Sequence, residues 1–186
     1  FTASILSGYA VNLEMAEMVV NAKSFIPLLN RIAMTTVNPE THRVIAAAFC
    51  SLSGYSHLIN QCLNQQILTG LVYLGLSSDI KMQAYTVTCL CRLLSANTSK
   101  DYADTFSSPL QQVLDHEKGA HAIWNLLMSE SMYVAWETVR LLTLLIQHER
   151  APKVLADVQL FRKVLKLGLD SIPTPGKKKK KKKKKK

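Results

Sequence analysis

One spacing constrains this chain more than any other property: its apolar helix patterns return about every 42 residues. The segment ILTGLVYLGL at 67–76 matches LFRKVLKLGL at 160–169, apolar for apolar at six positions. The same frame accepts Phe25, Ile26, Leu29 and Ile32 before them, and Pro109, Leu110, Val113 and Leu114 between them. These starts, at 25, 67, 109 and 160, are separated by 42, 42 and 51 residues. A longer pattern keeps the interval. Ile45, Ala48, Phe49 and Leu52 map by 42 residues onto Val87, Leu90, Cys91 and Leu94, and by a further 51 onto Thr138, Leu141, Leu142 and Leu145. The word LSGY at 6–9 also recurs at 52–55. Two separate patterns holding one interval mark a chain built from repeated units.

Within the units, apolar residues fall three and four apart without sustained alternation, which is the period of an amphipathic helix. Start signals agree with that reading. Asn38 precedes Pro39, a cap followed by proline in the first helical position. Ser108 and Gln111 flank Pro109 as a capping box would. The chain is expected to be all-α.

A period near 42 with a short, a medium and a longer helix per unit resembles the armadillo repeat family, over roughly residues 1–170. The stretch AEMVVNAKSFIPLL at 16–29 resembles that family's junction between first and second helix, a valine-rich helix end followed by IPxLV. The glycine usual at the junction is replaced by Lys23 and Ser24, and in the next unit by Gln65 and Gln66. The resemblance implies a right-handed α-solenoid, with HEAT-like repeats as the structural alternative. In either, one unit cannot bury its own apolar stripes, so units stack and share a core. The expected organisation is an array of about four units over 1–170 with the first truncated, a linker at 171–176 and a lysine tail at 177–186. The frame also predicts a fragment of a longer array, since neither end reads as a polar capping unit.

Charge narrows the partners. Ten of the 23 basic residues form the run Lys177 to Lys186, which leaves 13 basic against 13 acidic residues in the body. A nucleic-acid-binding domain instead spreads its cations over a folded face. The run itself reads as an import signal, as an anchor for acidic lipid or nucleic acid, or as a translated poly(A) stretch or an added tag, and it stays outside the fold reasoning. No apolar stretch approaches the 20 or so residues of a membrane span. Of Cys50, Cys62, Cys89 and Cys91, three lie in apolar helical patterns, so free thiols and an intracellular (cytoplasmic or nuclear) location are expected.

Nothing in the sequence assembles a catalytic or metal centre. His116 and His121 are five apart, which turns them about 140° from each other on a helix and rules out a zinc-protease pair; surface histidines near a loop are expected instead. Cys89 and Cys91 lack the two-residue gap of a redox or zinc pair. Asp101 and Asp104 have no supporting histidine and read as a solvated helix end, and the triplet Asn97, Thr98 and Ser99 matters only in a secreted chain. No enzyme activity, cofactor or metal is expected.

Armadillo proteins hold extended peptides in a groove lined by their third helices, and the stripes locate the matching face here. If 45/48/49/52 and their equivalents face the core, a neighbouring face carries Arg43, Ala47 and Cys50, then Tyr85, Cys89 and Arg92, then Trp136, Arg140 and Thr143. Arg43, Tyr85, Arg92, Trp136 and Arg140 are the binding candidates, because arginine and aromatic residues dominate interface hot spots and suit an acidic or aromatic peptide. The Trp-x-x-x-Asn ladder of import receptors is missing: its positions hold Ala47 and Ser51, Cys89 and Leu93, then Arg140 and Leu144. The expected function is a non-catalytic protein-binding scaffold. The alternative is a peripheral adaptor held to acidic membrane or nucleic acid by the lysine tail.

Overall fold

A computed structural model describes residues 12–96, 108–146 and 151. The truncated unit expected ahead of residue 9, the repeat copy at 160–169, the linker, the lysine run, the Asn97 triplet and Asp101 with Asp104 lie outside the described residues. Among the described residues the chain is all-helical, with no strand. The helices are α1 (Leu13–Asn21), α2 (Phe25–Thr35), α3 (Pro39–Leu52), α4 (Ile59–Asn64, preceded by the 3-10 turn Ser56–Leu58), α5 (Ile67–Leu74), α6 (Ile80–Ser95), α7 (Pro109–Asp115), α8 (Gly119–Leu127) and α9 (Met132–Leu145). None is long and apolar enough to cross a membrane.

They group in threes as α1–α3, α4–α6 and α7–α9. Every extensive helix contact is made within a group or between neighbouring groups; none joins the first group to the third. The second helices pack as α2 on α5 on α8, and the third helices pack, with the largest contacts, as α3 on α6 on α9. The core is one continuous row of buried side chains from Ala16 through Phe49, Leu71 and Leu90 to Leu145.

Local chemistry sets where the longest helices begin. Each third helix opens on a side chain that accepts from its own first turn: Asn38 from the N–H groups of Glu40 (2.9 Å) and Thr41 (3.2 Å), Asp79 from Met82 (2.9 Å), and Ser131 from Val134 (3.5 Å). Such caps satisfy donors that the helix cannot. Ser108 caps α7 by accepting from the Gln111 N–H (3.2 Å). The Gln111 side chain is turned along the helix instead, its Nε2 donating to Asp115 Oδ2 (3.1 Å).

The repeat frame needs two corrections. The helix at Pro109 is not a second helix: Pro109, Val113 and Leu114 bury as Leu58, Cys62 and Leu63 do, so α7 is a first helix and α8 is the second. The second helices therefore start at 25, 67 and 119. The additional residues of the third unit fall in the α6–α7 connection, where 97–107 lie outside the described residues. The third helices, moreover, repeat at 41 and 52, not 42 and 51, as their caps at 38, 79 and 131 show. The cap follows the start of the second helix by thirteen residues in the first unit and by twelve in the others, so the second helix and its connection together are one residue shorter.

Polar bonds tie each unit to the next. Asn30 Nδ2 donates to the Gln66 carbonyl (2.8 Å) and Gln65 Nε2 to that of Val20 (2.6 Å). Asn125 Nδ2 donates to the carbonyls of Gly75 (2.9 Å) and Ser77 (2.7 Å), and Ser129 Oγ to Gln83 Oε1 (2.6 Å). The buried sides of adjacent units therefore meet in a fixed register rather than through apolar contact alone. His116, expected at the surface, belongs to this seam. It is half-buried, its Nδ1 accepts the Lys118 N–H (3.1 Å), and its ring meets Tyr73 edge-on at 5.7 Å. Burial pushes its imidazole below the ordinary range. Among the described residues no group of histidine, cysteine and carboxylate could hold a metal.

Candidate partner-binding surface

The third helices lie side by side, so whatever they turn away from the core forms one surface. The five candidate residues all stand on the third helices, but they do not share one fate. Arg43 is half-buried and engaged: its Nε and one terminal nitrogen donate to Asp79 Oδ2 at 2.9 and 2.6 Å, and the other donates to Glu40. Those bonds hold the Asp79 carboxyl below the usual carboxylate range. Arg43 thus clamps α3 to the cap of α6 and has little left for a partner.

Arg92 is exposed, with one nitrogen donating to the Cys50 carbonyl at 3.0 Å. That carbonyl lies in the last turn of α3, where a cation also meets the negative end of the helix dipole. Arg92 is a cap for the neighbouring helix, with the rest of its guanidinium facing out.

Tyr85 and Trp136 are each 40 % exposed, far above what a packed core aromatic shows. The Arg140 side chain is 63 % exposed and reaches Glu137 only at 3.7 Å, a spacing that contributes little. Tyr133, which the sequence reading passed over, joins them: it is 53 % exposed, and its hydroxyl meets Thr88 Oγ1 at 2.9 Å across the α6–α9 seam. Met132 beside it is exposed too. The signal for Tyr133 was its place three residues before Trp136, on the same helix face.

Cys89, expected on this face, is fully buried instead, its thiol donating to the Phe49 carbonyl at 3.4 Å. The corrected register makes it the equivalent of Ala48 and Leu141, both core positions. Ala47 and Cys50 are half-buried and Thr143 is exposed, as that face requires. In the corrected register the import-receptor positions of the second unit become Thr88 and Arg92, so the Trp–Asn ladder is missing in either frame.

The four cysteines are free thiols. Burial pushes Cys62 and Cys91 up to about 12, raises Cys89 as well, and raises Cys50 despite the nearby Arg92. Such thiols are packing groups rather than nucleophiles. What the surface offers is three aromatic faces and two guanidinium groups.

Comparison with protein-family models, with curated proteins and with solved structures finds no match to this chain.

Proposed function

We propose that the chain is a non-catalytic scaffold, a right-handed α-solenoid of armadillo-like units that captures a partner peptide along its third-helix face. The observation that carries this reading is the exposed group formed by Tyr85, Tyr133, Trp136 and Arg140 at the α6–α9 seam. Aromatic and arginine side chains supply most binding energy in protein interfaces, and here they stand on a rigid, extensively packed pair of helices. Three helices per unit, the third one longest, favour the armadillo form over the two-helix HEAT form. Four free thiols suit a reducing compartment, the cytoplasm or the nucleus. The preferred ligand is an extended peptide with acidic and aromatic side chains, matched to the guanidinium groups and ring faces.

The test is to pan a displayed library of random peptides against the full chain and measure the enriched sequences on variants. Trp136→Ala should weaken them by roughly thirtyfold, the size of a hot-spot loss, and Arg140→Ala should weaken the acidic ones most. If every enriched peptide binds both variants as it binds the wild type, this face is not the binding surface.

A further inference from the structure

A cavity of about 620 Å³ opens on the seam between the first and second units, away from the third helices. It lies where the end of α1 and the start of α2 meet the end of α4. Its wall carries the carboxamides of Asn21, Gln61, Asn64, Gln65 and Gln66, together with Lys23 and no carboxylate. The volume is that of a typical ligand site, and its wall sets these amides among apolar surface that includes Val20 and Pro27.

Carboxamides have one chemistry to offer. Each presents an acceptor oxygen and a donor nitrogen side by side, the complement of a peptide unit's N–H and C=O. The side chains of Asn21, Gln61, Asn64 and Gln66 are exposed and form no hydrogen bond to another described residue. Gln65 is fixed by its bond to the Val20 carbonyl, which leaves its Oε1 buried without a partner. That oxygen has almost no accessible surface and stays within the seam, so the exposed carboxamides around it are what a ligand meets. Gln66 is held at φ 61°, a conformation that glycine adopts freely, so the position keeps a side chain at the rim at the expense of backbone comfort.

We propose that this cavity is a second docking site, for an extended peptide segment that carries a carboxylate. The amides bind its backbone and Lys23 binds its charge. The site shares no residue with the third-helix surface, so it stands or falls separately from the scaffold reading.

The same panning against the full chain tests it. One class of enriched peptides should carry an acidic side chain or a free C-terminal carboxylate and lose at least about tenfold in affinity on Lys23→Glu, a charge reversal across a contact. Asn64→Ala and Gln66→Gly should each cost that class about threefold to tenfold, the worth of one hydrogen bond, while Trp136→Ala leaves it unchanged. All these residues are exposed, and an unchanged or raised melting temperature shows that the variants fold. The proposal is overturned if panning yields no peptide, or if every enriched peptide tolerates Lys23→Glu and Asn64→Ala. Peptides that respond to Trp136→Ala alone would uphold the third-helix face and sink this site.

Discussion

Replacing Gln66 by glycine should stabilise this protein, and the same change at the two equivalent junctions should do the opposite. Gln66 stands one residue before α5 with φ 61° and ψ 34°, the left-handed region. A residue with a Cβ there costs roughly 1–2 kcal/mol, whereas glycine's extra freedom in the unfolded chain costs about 0.5–1 kcal/mol. The Gln66 side chain makes no hydrogen bond to a described residue, so little else is lost; its carbonyl still accepts from Asn30. Gln66→Gly should therefore gain about 0.5–1 kcal/mol and raise the melting temperature by about 1–4 °C for a chain of this size. Ser24 and Lys118 hold the equivalent position before α2 and α8, but at φ −88° and −103°. Glycine there relieves nothing and only adds unfolded-state entropy, so Ser24→Gly and Lys118→Gly should each lower stability by about 0.5–1 kcal/mol. Thermal unfolding followed by far-UV circular dichroism, with urea titration as a check, measures all three. If Gln66→Gly falls with the other two, the left-handed junction and the equivalence drawn from it are wrong.

Three further outcomes follow from the same geometry. Asp79 is held below the ordinary carboxylate range by Arg43, so the folded chain binds fewer protons there than the unfolded chain does. Its contribution to stability is whole above about pH 4 and is lost as the pH falls through the folded value; acid titration of Arg43→Gln should show a shallower decline than wild type, and equal slopes would refute the clamp. A Cβ at Gly119 would overlap the Val113 carbonyl, so Gly119→Ala should cost about 1–3 kcal/mol in urea unfolding, and a neutral result would remove the close turn between α7 and α8. A thiol reagent at neutral pH should modify only the half-buried Cys50, and slowly, with Cys62, Cys89 and Cys91 reacting on unfolding; fast reaction of a second thiol in the native state would contradict the packing.

Much of the fold could be read from periodicity, because helix stripes are local and the buried residues Ile45, Ala48, Phe49 and Leu52 announce their own face. Relations between units were harder. A second helix and connection that are together one residue shorter ahead of α6 moved its true equivalents from 42 to 41, and the stripe alone could not detect it, since an apolar helix flanked on both sides buries residues at both registers. That slip put Cys89 on the surface face when it is core. Pro109 was misplaced because a proline start and two apolar pairs suit a first helix as well as a second. Lys118 and Gly119 ahead of Ala122, Ile123 and Leu126 carried the better signal, a glycine at the junction. Arg43 looked like a free hot-spot residue because its partner Asp79 lies 36 residues on, a pairing that only the stacked geometry creates. Tyr85, Trp136 and Arg140 are exposed, as the helix period predicts, but the corrected register makes Tyr85 the equivalent of Val44 and Glu137 rather than of Arg43 and Trp136.

The account rests on units that touch only their neighbours, and spin-label distances test that most directly. Glu40, Lys81 and Tyr133 each stand two residues past the cap of a third helix. With Cys50 replaced by serine and the buried thiols shielded, labels can be placed at these sites in pairs. Helices packed side by side lie about 8–10 Å apart, so stacking predicts roughly 10 Å for 40–81 and for 81–133 and roughly 20 Å for 40–133. A 40–133 distance as short as the other two would mean the third helices close into a bundle, and the layered account would be wrong.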